Sequence, residues 1–292
     1  MEEYMKTVKK IFVALTLFCA MGSAWAMGSK DASTAKSANR IVSLAPANSE
    51  ILCAVGAYDQ IVARTDFCDF PAELSKKPSV GGFDGKTVSV ETILAYQPDF
   101  VYGTSGMHDF LKQPLEAAGI TLYLSKADSV EAVIAEIRTI GKITGHAAQA
   151  ESLASSMQKE LSAIKKAVAK EAKPTVYYEV WGNPYMTVGN KSFINGIIQA
   201  AGGTNIFASV DGDYPMISEE SVIAQNPQFI IIPNMNGETK KSISSRRGWA
   251  DIQAVKDGNV YFIDSDVYSR PGPRVIEAIK NIAQILHPGV TF

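Results

Sequence analysis

The chain reads as an α/β protein of two similar lobes with mostly parallel sheets, joined by a single long helix. Three observations predict this. The stretch Ser89-Val90-Glu91-Thr92-Ile93-Leu94-Ala95-Tyr96-Gln97-Pro98-Asp99-Phe100-Val101 recurs in register as Ser218-Glu219-Glu220-Ser221-Val222-Ile223-Ala224-Gln225-Asn226-Pro227-Gln228-Phe229-Ile230. Strand and helix patterns alternate before and after the middle of the chain, which implies mostly parallel pairing. Between the two runs lies a helical apolar stripe of about 25 residues, spanning roughly 37 Å at 1.5 Å per residue, the length of a whole domain.

Residues 1–26 read as a secretory signal: Lys6, Lys9 and Lys10 precede the apolar run Ile11 to Ala20, and Ala24-Trp25-Ala26 has the small-x-small form of a cleavage site. The run is shorter than the ~20 residues of a spanning helix. Cys19 is a lipidation candidate if cleavage falls just before it, although Phe18 stands where lipoprotein signals carry a small residue. Residues 27–39, rich in Ser, Ala and Lys, read as a flexible tether. Removing three Lys and two Glu with the signal leaves 25 basic and 28 acidic residues, a formal charge of −3. Basic pairs such as Lys240-Lys241 and Arg246-Arg247 are too sparse for a polyanion partner, so no nucleic acid is expected.

The N-terminal lobe is expected over 40–145. Arg40 to Leu44 is a strand ending at Pro46, and Asn48-Ser49-Glu50 supplies caps for a helix to Val55. Strands follow at 61–64, 100–102 and 121–124, with helices at 89–96 and 107–118. Val130, Val133, Ile134, Ile137 and Ile140 form one helical face, interrupted at Gly145. The linking helix is expected over 146–173, carrying Leu153, Met157, Leu161, Ile164 and Val168 and ending at Lys173-Pro174. The C-terminal lobe, 174–292, begins with a strand at 175–180 and closes with a strand at 260–263 and a helix at 274–286. A single helical bridge predicts small lobe closure.

Two similar lobes leave a cleft, where ligands favour binding. Phe67, Phe70, Phe83, Trp181, Tyr185, Tyr214, Asp266, Tyr268 and Arg270 fall in predicted loops at strand ends and are the candidate ligand-binding residues. Cys53 and Cys68 are a candidate disulfide, worth about 3 kcal/mol in the chain-entropy model, or else two buried thiols. Gly81 to Thr87 misses the phosphate-loop spacing, and Gly103-Thr104-Ser105-Gly106 misses the nucleophile elbow. His108, His146 and His287 are dispersed, so no metal site is expected. No acid–base pair announces itself, and the chain is read as a non-enzyme, with no cofactor and as a monomer. A secreted enzyme on the same scaffold, and a surface adhesin or scavenger acting without a membrane partner, are the alternatives.

Arg40 to Glu50, Thr65 to Pro71, Ala201-Gly202-Gly203-Thr204-Asn205-Ile206-Phe207 and Arg270-Pro271-Gly272-Pro273-Arg274 resemble the substrate-binding proteins of ABC importers for cobalamin and ferric siderophores, over roughly residues 39–290. The resemblance implies the class III periplasmic-binding-protein fold and a small metal chelate as ligand. It places the chain outside the cytoplasm, in the periplasm or at the cell surface, lipid-anchored if Cys19 is modified. It also implies that Glu91 and Glu220, one per lobe, meet basic residues of a permease; a carboxylate in the first turn of a helix in any case complements the dipole by about 0.3–1 kcal/mol. Phe70, Phe83, Tyr214 and Asp266 match cleft positions of cobalamin binders. The chain departs from them at Thr104, Phe83 and Tyr214, where those proteins carry Trp. Arg270 and Arg274 could face an anionic chelate, Arg274 also being placed to begin a helix. Haem and a molybdate-type oxyanion are alternative ligands on this fold.

Overall fold

The first strand runs only from Ile41 to Ser43, yet all three residues are buried, because it lies inside its sheet with a neighbour on each side. The computed structural model describes residues 37–82, 84–235 and 237–292. The signal, Cys19, most of the tether and Phe83 lie outside them. In chain order the first lobe comprises β1 (Ile41–Ser43), α1 (Pro46–Ala54), β2 (Ile61–Arg64), α2 (Val90–Ala95), β3 (Phe100–Thr104), α3 (Lys112–Ala117) and β4 (Thr121–Ser125). The helices α4 (Val130–Thr144) and α5 (Ala147–Val168) follow. The second lobe comprises β5 (Thr175–Gly182), β6 (Tyr185–Thr187), α6 (Phe193–Ala200), β7 (Thr204–Asn205), α7 (Glu219–Gln225), β8 (Phe229–Pro233), α8 (Lys240–Ser244), α9 (Gln253–Lys256), β9 (Val260–Ile263), α10 (Ser265–Ser269) and α11 (Val275–Leu286).

The first sheet has the order β2-β1-β3-β4 and is parallel throughout. The second has the order β6-β5-β8-β9 with β7 beside β5; β6 runs antiparallel to β5, and the β5–β7, β5–β8 and β8–β9 pairs are parallel. The repeat in the sequence is a repeat in space. β3 sits between β1 and β4, and β8 occupies the corresponding place between β5 and β9. Ser89 accepts from Thr92 N at 3.1 Å and Ser218 from Ser221 N at 3.2 Å, so both helices start on the same cap. Gln97 (φ 47°) and Asn226 (φ 46°), matched positions each followed by Pro, both take the left-handed conformation that turns the chain from helix to strand.

The break expected at Gly145 is present, its φ of 82° ending α4, and the apolar stripe that follows lies on α5. Ala150, Ala154, Met157, Leu161, Ile164 and Val168 of α5 are buried against α4 on one side and against α6 and α11 on the other. One apolar core therefore runs without a break from Ile41 in the first sheet to Ile282 in the last helix.

The start of the first helix differs from expectation. Pro46 occupies its first turn, where its fixed φ is helical and its missing N–H goes unneeded. Asn48 and Ser49 therefore lie within the helix rather than capping it. The Asn48 amide donates to the carbonyls of Tyr102 (3.1 Å) and Gly103 (2.9 Å), pinning α1 to β3, and Ser49 Oγ donates to Ser43 Oγ at 2.8 Å. The hairpin strand β6 has no predicted counterpart, since its three residues are too few to show an alternating pattern.

Two glycine substitutions test the bridge. A Cβ on Gly141 in α4 would meet Ala150 Cβ at 2.1 Å, whereas one on Gly196 in α6 meets nothing within 4 Å. Chemical denaturation should show Gly141→Ala destabilised by about 1–3 kcal/mol through overpacking, and Gly196→Ala stabilised by about 0.4–1 kcal/mol.

Candidate functional site: the cleft between the lobes

The C-terminal ends of β1, β3 and β4 face the segment 269–271 of the second lobe across a cavity of about 460 Å3. Asn48, Thr104, Ser125 and Asp128 line it from one side, Ser269, Arg270 and Pro271 from the other. A smaller cavity of about 210 Å3 lies between Glu50, Cys53 and Phe70 of the first lobe and Pro273 and Arg274 of the second. Open α/β sheets place ligands at the carboxyl ends of their strands, where loops diverge and leave room.

Between these cavities a cluster of charges ties the lobes. Glu50, on α1, has a side chain only 3% exposed. It receives a bidentate pair from Arg274 (Nε to Oε2 2.9 Å, Nη2 to Oε1 2.6 Å) and a third bond from Arg270 Nη1 at 3.1 Å. Arg270 also reaches Asp69 Oδ1 at 2.8 Å and Asp266 Oδ2 at 2.7 Å. The Arg274 guanidinium lies 4.2 Å from the centre of the Phe70 ring, an added cation–π contact. Two arginines thus meet three carboxylates, and the cluster carries one net negative charge. Burial alone would raise the Asp69 carboxyl, but its hydrogen bond to Arg270 holds it below the ordinary carboxylate value.

Phe67, Phe70, Trp181 and Tyr214 are 51%, 45%, 42% and 45% exposed, high for aromatic rings, and Trp181 Nε1 donates to Asn183 O at 2.9 Å. Thr104 and Arg270 line the larger cavity, and Asp266 is drawn to Arg270. Two predicted ligand contacts are corrected. Tyr268 is 3% exposed and packs in the main core, because α10 turns its ring inward toward α11. Tyr185 faces its own lobe: its hydroxyl donates to Glu219 Oε1 at 2.8 Å and its ring stacks on Trp249 with centroids 5.9 Å apart. Burial first, then the Glu219 carboxylate, push its phenol up to about 12. The candidate disulfide is also corrected, since Cys53 and Cys68 are both free. Cys68 Sγ is engaged 3.2 Å from Thr65 Oγ1, and burial, then Cys68, push the Cys53 thiol up to about 12, keeping it protonated.

Sequence reasoning missed Glu50, which looked like a helix cap, and the cluster of Glu179, Arg246 and Trp249. Glu179, 1% exposed, accepts from Arg246 at 2.5 and 2.8 Å, and the Arg246 guanidinium lies 4.5 Å from the Trp249 ring. Glu91 and Glu220 occupy matched places in the first turns of α2 and α7, both exposed and without an ion-pair partner among the described residues.

Two α/β lobes joined through a helical core, with a cavity at their strand ends, have the architecture of a two-lobed solute-binding protein. The chain matches the family described as Periplasmic binding protein over residues 41–267, and it belongs to that family. It is 32% identical over 268 residues, 89% of this chain and 83% of the other, to the uncharacterized ABC transporter substrate-binding lipoprotein YvrC of Bacillus subtilis (strain 168). It is 28% identical over 257 residues, 85% of this chain and 69% of the other, to the cobalamin-binding protein of Halobacterium salinarum. The crystal structure of the periplasmic vitamin B12 binding protein BtuF of Vibrio cholerae superimposes with a TM-score of 0.74 at 25% identity, covering 85% of this chain and 96% of that one.

Removing Glu50 should leave two buried guanidinium groups short of a partner. Glu50→Ala is expected to cost about 3–5 kcal/mol in denaturant unfolding and to raise the radius of gyration in solution scattering. Asp69 adds a pH signature. A carboxylate held low in the folded state contributes fully above its ordinary value of 3.8 and fades as pH falls through the folded value. The stability gap between wild type and Asp69→Asn should thus stay constant from about pH 7 to 5 and close below about pH 4.

Proposed function

We propose that this chain is the extracytoplasmic receptor of an ABC importer whose cargo is a corrinoid, captured between the lobes and released to a permease at Glu91 and Glu220. The observation that carries the choice of cargo is the pairing of the two cleft arginines, the larger cavity's other charged residues being Lys126 and Asp128. Both cleft arginines are already paired with Glu50, Asp69 and Asp266, so neither is spare for the carboxylates of a haem, an anionic ferric chelate or an oxyanion. Phe67, Phe70, Trp181 and Tyr214 offer exposed ring faces suited to a broad, partly apolar molecule of low charge. Relatives in Halobacterium and Vibrio named for cobalamin or vitamin B12 support the same cargo. Function on this reading lies in binding and release, across lobes 40–145 and 174–292 with 146–173 between them, and calls for no catalytic group. The YvrC relative is a lipoprotein, and Cys19 is the residue that would carry such an anchor here.

A thermal-shift panel of cyanocobalamin, dicyanocobinamide, haemin, ferric siderophores and molybdate tests the cargo. At 100 times Kd a ligand adds about 2.7 kcal/mol, so the corrinoids should raise the midpoint. A rise with haemin, a siderophore or molybdate alone would overturn the assignment. For docking, the Glu91→Ala/Glu220→Ala double variant should keep corrinoid affinity within about twofold of wild type and abolish uptake, since neither glutamate lines either cleft cavity. Lost corrinoid affinity in that variant would refute the docking role.

A further inference from the structure

The two docking helices are matched in sequence but held differently. Glu91 follows Val90, whereas Glu220 follows Glu219, a second acid at the position of Val90. Glu219 does not share the outward aspect of Glu220. Its Oε1 receives both the Tyr185 hydroxyl and Trp249 Nε1, each at 2.8 Å. Tyr185 and Trp249 stack on one another, and the Arg246 guanidinium lies over both rings, 5.5 and 4.5 Å from their centres, while also anchored to Glu179.

The strand that carries Tyr185 leads to the same place. Thr187 N donates to Pro215 O (3.1 Å) and Ile217 N to Tyr185 O (3.0 Å), with Met186 and Met216 forming an antiparallel bridge between them. The next residue, Ser218, caps α7. The start of α7 is therefore fastened twice to β6, once through backbone pairing and once through the Glu219 carboxylate. The exposed ring of Tyr214 directly precedes the second arm of that ribbon, and that of Trp181 lies on β5, which pairs with β6.

We propose that Glu219, clamped by Tyr185 and Trp249, is a positioning residue that holds Glu220 in the orientation in which it meets a basic group of the permease. This rests on the docking role given to Glu220 above. A carboxylate at the start of a seven-residue helix is poorly fixed by the helix alone, and the clamp removes that freedom before docking, so less ordering remains to oppose association.

A double-mutant cycle tests it, read as affinity of the cargo-free chain for its permease in lipid nanodiscs. Tyr185→Phe and Glu219→Ala should each weaken association about fivefold or more, while Glu219→Gln, which keeps the acceptor oxygen, should stay within about twofold of wild type. In a Glu220→Ala background Tyr185→Phe should have no further effect, and in a Glu91→Ala background its effect should persist in full. Equal losses in both backgrounds would show a general structural role and overturn the proposal, as would a silent Tyr185→Phe and Glu219→Ala beside an active Glu220→Ala. If Glu220→Ala alone changes nothing, the docking role itself falls, and this assignment with it. Glu219→Ala and Glu219→Gln carry the comparison should Tyr185→Phe fold poorly.

Discussion

Glu50 is the constraint on which the cleft depends. A carboxylate buried to this degree is costly unless every charge beside it is matched, and the matching guanidinium groups come from the far end of the chain, 220 and 224 residues away. The bidentate geometry of Arg274 sets direction as well as distance, because a planar fork meets a carboxylate edge in one plane. The two lobes consequently approach with a defined register at the mouth of the cleft. The same pairing engages both of the cleft's arginines.

Behind the cleft the lobes are joined by packing rather than by crossing strands. The stripe on α5 is shared between α4 and the helices of the second lobe, so the joint is part of the core. Charge cluster and helical bridge both join the lobes, one through paired charges and the other through shared apolar packing. Neither is a feature of one lobe. Each needs side chains from both.

The duplicated unit explains why the lobes resemble one another, and its departures show where they have different work. Ser caps, left-handed turns and central strands coincide position by position, while among the described residues the β6 ribbon and the clamp on Glu219 have no counterpart beside Glu91. In the second lobe, the exposed Tyr214 and the helix that presents Glu220 flank one arm of a short antiparallel ribbon. In the first lobe, the corresponding loop carries Phe67, Asp69 and Phe70 and is held across the cleft by Arg270 and Arg274 instead.

The sequence by itself determined the α/β class, the repeat, most strand and helix positions and the break at Gly145. These depend on local chemistry: a Ser cap, a Pro stop, an apolar period, a residue that tolerates positive φ. It also marked the exposed rings Phe67, Phe70, Trp181 and Tyr214, because loops at strand ends are where such residues stand. What it could not reveal is direction. Whether a loop tyrosine points into a cleft or into its own lobe is decided by partners distant in the chain, as Tyr185 turns to Glu219 and Tyr268 to the core. Only the tertiary structure decided that Glu50 is a link between lobes rather than a helix cap, since a carboxylate has the same letter in either role and its guanidinium partners come within reach only when the chain is folded.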